Sequence, residues 1–113
     1  MTYCFPVTIG GSGDSLTTGN YNVAIGKSAL DAETAGHQSI AIGLQALATQ
    51  NNTSSTNAYN VAVGSQAGKL VTTGTQNTFI GGLAGDATTT RTGNSALGYN
   101  ALGAANTGNH NQP

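Results

Sequence analysis

The stretch that decides the fold is NVAIGKSAL (22–30), because the chain returns to it as SIAIGLQAL (39–47), NVAVGSQAG (60–68), NTFIGGLAG (77–85) and NSALGYNAL (94–102). Aligned on the glycine after the aliphatic residue, Gly26, Gly43, Gly64, Gly81 and Gly98 stand at steps of 17, 21, 17 and 17 residues. A fixed period of this size marks a stacked solenoid, in which each unit buries itself only against its neighbours. A 17-residue unit is too short for a βαβ crossover and lacks the three-to-four-residue apolar spacing of an amphipathic helix. The reading is an all-β parallel solenoid of about five to six coils. Each coil has two short strands and two turns, stacked at roughly 4.8 Å per layer.

In an extended chain alternate side chains point to opposite faces, and here the two faces differ. One carries Val23/Ile25, Ile40/Ile42, Val61/Val63, Thr78/Ile80 and Ser95/Leu97, mostly β-branched and suited to a pleated, buried surface. These positions are expected to form the core. The other carries Asn or Ser, then Ala24, Ala41, Ala62, Phe79 and Ala96, and is expected to be a flat outer column against which another chain could pack. The glycines that follow are expected to be the corners where the strand turns. Asn22, Asn60, Asn77 and Asn94 recur at one position, which predicts a structural ladder of stacked amides. After each corner comes an alanine three residues on (Ala29, Ala46, Ala67, Ala84, Ala101), expected in the second strand.

Residues 1–18 read as an N-terminal segment with one degenerate capping coil, VTIG (7–10), with Gly13 where alanine is expected. Regular coils follow over 19–105, and 106–113 reads as a tail or the start of another coil, since TGNHN (107–111) echoes TGNYN (18–22). The step of 21 comes from an insertion within ATQNNTSSTNA (48–58), expected to bulge outward with Asn51, Asn52, Thr53, Ser54 and Ser55 as a contact loop.

Leu, Ile, Val and Phe supply only 20 of 113 residues, with 17 glycines and seven charged residues, three basic and four acidic. So small an apolar content struggles to build a sufficient core in one chain, which predicts association, as a homotrimer of parallel rods. Lys27, Lys69 and Arg91 form no basic patch, so nucleic acid is not an expected partner. No apolar run approaches the roughly 20 residues that cross a bilayer, so membrane insertion is not expected. Residues 1–16 lack the basic start and apolar stretch of a signal peptide.

The recurring Asn-Val-Ala-Ile-Gly-x-x-Ala-Leu resembles the head repeats of trimeric autotransporter adhesins and the related repeats of bacteriophage tail fibres and tailspikes. The resemblance covers 19–105 and implies a left-handed parallel β-roll, three chains to a trimer. It implies a non-enzymatic segment of a phage tail fibre or other virion fibre, partnered by fibre or baseplate proteins and by a cell-surface glycan or protein receptor. The alternative is a head segment of a bacterial surface adhesin. Two departures stand out: the unit of 17 residues is longer than the compact adhesin head unit, and Phe79 replaces the small alanine.

Catalytic, cofactor and metal sites are not expected. Gly26-Lys27-Ser28 ends like a phosphate-binding loop, but Tyr21 stands where the first glycine is required. His37 and His110 have no ligand-type spacing, and His37 is expected in a solvated turn. Asp31 and Glu33 are also expected to be solvated. Cys4 is expected to be a reduced thiol, since one cysteine forms no intramolecular disulfide. Asn51 and Asn52 begin glycosylation-type triplets, which carry weight only in a secreted chain. An ice-binding solenoid needs a regular threonine array, and the threonine clusters here fall in turns. Tyr21, Tyr59 and Tyr99 are expected to pack, with surface contact as their other role.

Overall fold

The structure is a computed structural model describing residues 6–103. Each repeat places its aliphatic segment in a three-residue strand: β1 (Val7–Ile9), β2 (Val23–Ile25), β4 (Ile40–Ile42), β6 (Val61–Val63), β7 (Thr78–Ile80) and β8 (Ser95–Leu97). These pair in parallel in the order β1-β2-β4-β6-β7-β8. The register sets like on like, Ala24 beside Ala41, Ala41 beside Ala62, Ala62 beside Phe79 and Phe79 beside Ala96. A second parallel sheet joins β3 (Gly36–His37) to β5 (Thr56–Asn57). The chain is thus a parallel β-solenoid of about five turns, with no helix among the described residues. VTIG (7–10) supplies the first strand of the main sheet, with Val7 beside Val23.

After each corner glycine the chain runs through turns instead of the expected second strand. Left-handed residues do the turning. Tyr21, Gln38, Tyr59, Gln76 and Gly93 share one such position, and Ser28, Gln45, Gln66, Leu83 and Asn100 a second; Leu30, Leu47, Gly68, Gly85 and Leu102 share a third. Side-chain-bearing residues rarely adopt this conformation. Here bonds between coils hold it, such as Gln38 N–H to Asn20 O (3.1 Å), Gln45 N–H to Lys27 O (2.9 Å) and Leu47 N–H to Ala67 O (3.0 Å). Gly43 is obligatory for a further reason: φ is +128°, and a Cβ there would stand 2.6 Å from the Gly64 carbonyl oxygen.

The two faces are reversed from the sequence reading. Ala24, Ala41, Ala62, Phe79 and Ala96 line the interior, facing a second layer that includes Ala29, Leu30, Ala46, Leu47, Ala67, Val71 and Ala84. The expected core residues lie on the outside of the sheet: Val23, Ile25, Ile42, Val61 and Val63 are half-buried, while Ile40, Ile80 and Leu97 are exposed. The reason is volume. The thinnest extent of the rod is 16 Å, close to the roughly 10 Å separation of two packed layers plus their outer surfaces, so the column facing the second layer has room mainly for methyl groups. The flat alanine column is therefore not a surface for a second chain.

Buried asparagines close each coil, mainly by bonding backbone. Asn22 Oδ1 accepts from Ser39 N–H (2.9 Å) and its Nδ2 donates to Gly36 O (2.8 Å). Asn60 repeats this with Asn77 N–H (2.9 Å) and Gly74 O (2.8 Å), as does Asn77 with Asn94 N–H (2.9 Å) and Arg91 O (3.0 Å). The expected amide-to-amide bond occurs between Asn94 Nδ2 and Asn77 Oδ1 (3.1 Å). In the first coil Ser12, not Gly13, takes the alanine position: it is buried, and Gly13 N–H bonds Ala29 O as Leu30 N–H bonds Ala46 O.

Candidate functional site

The repeat puts two aliphatic columns on one outer face. Val7, Val23, Ile40 and Val61 run along the first, ending in Thr78 and Ser95; Ile9, Ile25, Ile42, Val63, Ile80 and Leu97 form the second. Exposure reaches 56% at Ile9 and 74% at Leu97. The face is flat because six parallel strands share one register, and contiguous apolar surface of this kind marks an interaction site.

The insertion makes a second feature, and its anchor is Glu33. This side chain is fully buried, contrary to the solvated turn expected for it. Its Oε1 accepts from the backbone N–H groups of Thr34 (3.1 Å), Gly36 (2.9 Å) and Asn52 (2.8 Å). Its Oε2 accepts from Gln50 Nε2 (2.6 Å) and Asn52 Nδ2 (3.0 Å). A carboxylate removed from water needs such a full set of donors. Gln50 also replaces a missing rung. The second repeat has Ser39 where others have asparagine, and Gln50 reaches in to bond Ser39 Oγ (3.0 Å) while accepting from Asn60 Nδ2 (2.7 Å).

The proposed contact loop is therefore divided. Asn52 is buried on Glu33 and Asn51 is half-buried, its Oδ1 accepting from Thr34 Oγ1 (3.0 Å); only Thr53, Ser54 and Ser55 stand out in solvent. Asn52 N–H and its amide are thus committed to the fold, which removes it as a surface contact. No signal in the composition of 48–58 distinguishes Gln50 and Asn52 from their neighbours; the distance of Glu33, 19 residues before Asn52, hides the pairing.

His37 is not a solvated turn residue. It is half-buried, and Asn20 N–H donates to its Nδ1 at 2.8 Å, so the ring proton sits on Nε2 and is donated to Ser55 Oγ at 2.7 Å. The imidazole thus clips the inserted loop to the first regular coil. Asp31 is separate from Glu33 in role, its Oδ1 accepting from Asp14 N–H (3.2 Å). Tyr21, Tyr59 and Tyr99, expected to pack, are all exposed. Cys4 and His110 lie outside the described residues. Among the described residues there is no group of three or more histidine, cysteine or acidic side chains that could hold a metal, and no helix long and apolar enough to cross a membrane.

Comparison with protein-family models, curated proteins and solved structures finds no match.

Proposed function

We propose that this chain is a non-enzymatic segment of a virion fibre, such as a phage tail fibre, in which three copies pack side by side through the sheet face. The observation that carries the reading is the pair of aliphatic columns left outside the solenoid, from Val7 and Ile9 to Leu97. Each coil encloses mostly alanine methyls and a few leucines, with Val71 and Phe79, so the apolar surface left outside gains stability when a neighbouring rod covers it, at about 25 cal/mol per Å². A heterologous contact that closes after three copies covers the face on every chain. The repeat resemblance supports a left-handed coil and an attachment role at the virion surface, alongside other fibre or baseplate proteins. The product is a stiff rod that presents its remaining sides to a cell-surface receptor. Sedimentation equilibrium tests the assembly: a trimer at micromolar concentration is expected, and a stable monomer with native circular dichroism would overturn it.

A further inference from the structure

We propose that the side of the rod formed by Tyr21, Gln38 and Tyr59, continued by His37, Ser55 and Asn57, binds an uncharged saccharide chain; this rests on the attachment reading for its purpose, not for its geometry. Tyr21, Gln38 and Tyr59 occupy the same turn position in three successive coils. Backbone bonds from Gln38 N–H to Asn20 O (3.1 Å) and from Ala58 N–H to His37 O (3.0 Å) hold the three layers together. The two tyrosines are thus two layers apart, roughly 10 Å by strand spacing, with Gln38 on the layer between.

Both rings are presented outward, Tyr21 59% and Tyr59 50% exposed. Each also sits at a left-handed backbone position, φ +61° and +52°, where Gly93 fills the equivalent place in another coil. The insertion adds polar groups to the same side. Pairing of β3 with β5 sets Asn57 beside His37, and the His37 ring draws Ser55 in.

The chemistry selects the ligand class. Aromatic faces stack on the C–H faces of pyranose rings, while side-chain amides and the Ser55 hydroxyl, held by His37, exchange hydrogen bonds with sugar hydroxyls. None of the six side chains carries a formal charge, which gives no attraction for a polyanion. A rod with a constant rise also matches a polymer of constant repeat.

The test titrates the intact chain with uncharged oligosaccharides of two to six glucose, galactose, mannose or N-acetylhexosamine units, with sialylated and sulfated glycans as a second arm. Binding is read by tyrosine fluorescence, free of interference because the chain has no tryptophan. Saturable binding of an uncharged probe is expected, weakened at least about tenfold by Tyr21→Ala and by Tyr59→Ala and unaffected by Tyr99→Ala, with circular dichroism unchanged in all three. Absence of binding to every uncharged probe, a preference for anionic glycans, or wild-type affinity in either tyrosine variant would overturn the proposal. Sedimentation of the same samples reports assembly separately, so a monomer that binds sugar refutes the trimer alone.

Discussion

The ring of Phe79 occupies the space that a side chain on Gly85 would need. A Cβ built at Gly85 overlaps the ring, and one at Gly68 would stand 2.9 Å from Phe79 Cδ2 and 2.9 Å from Leu47 Cδ2. Other repeats combine alanine in the strand with leucine in the turn, as Ala24 with Leu30 and Ala41 with Leu47. At Phe79 the volume moves to the strand, and both flanking turn positions become glycine. The first coil uses a related exchange: Gly13 takes the leucine position, and Leu16 Cδ1 comes within 2.9 Å of where its Cβ would be.

This exchange predicts a rescue. Phe79→Ala should cost about 3–5 kcal/mol by leaving a cavity. Adding Gly68→Leu and Gly85→Leu should recover a large part, since Leu30 and Leu47 already adopt the required left-handed backbone. Denaturant unfolding measures both; a triple variant no more stable than Phe79→Ala would refute the shared-volume account.

Glu33→Gln should destabilise the chain by about 1–3 kcal/mol, because it sets an NH2 group against the buried donors that now bond the carboxylate. Asp31→Asn, at a half-exposed site, should stay within about 0.5 kcal/mol. Thermal unfolding distinguishes them, and equal melting temperatures would show that the Glu33 cluster does not hold the insertion.

Ile42→Asp should leave the coil folded and break the assembly. Its side chain lies on the outer face, so the charge meets water in a lone chain but would be buried where rods meet. Native circular dichroism with monomeric sedimentation is the expected pair of results. A persistent trimer would place the contact elsewhere.

Gly43→Ala should prevent folding, since its Cβ would lie 2.6 Å from Gly64 O and 2.7 Å from Gly64 C. Gly98→Ala has the same kind of backbone, φ +118°, but nothing within 4 Å of its Cβ. It should cost only backbone strain, about 1–3 kcal/mol. Similar stability for the two variants would argue against close coil-to-coil approach at Gly43.

Deleting Thr53–Ser55 should leave a folded rod, because these residues are exposed and the pairing of Asn52 with Glu33 is kept. Extending the deletion to Asn52 removes two of the Glu33 donors and should lower the melting temperature further. Identical melting curves for the two deletions would mean that Asn52 contributes nothing.

The solenoid, its period, the corner glycines and the place of the insertion were legible in the residues alone. All of these follow from period and backbone chemistry, which are local: Gly26 and Gly43 mark corners whatever surrounds them. Which face of the strand is inside emerged only with the closed coil. Alternation separates Ala24 from Val23 and Ile25 without assigning either to the interior, and hydrophobicity favoured the wrong choice. The gap between the two layers of a coil is a property of the closed coil: it takes alanine, or Phe79 where the facing turn residues are glycine, while the valines and isoleucines of the strands turn outward. The Glu33 cluster was hidden for the same reason. Its donors come from Thr34, Gly36, Gln50 and Asn52, and only folding one coil onto the next brings them to a single carboxylate.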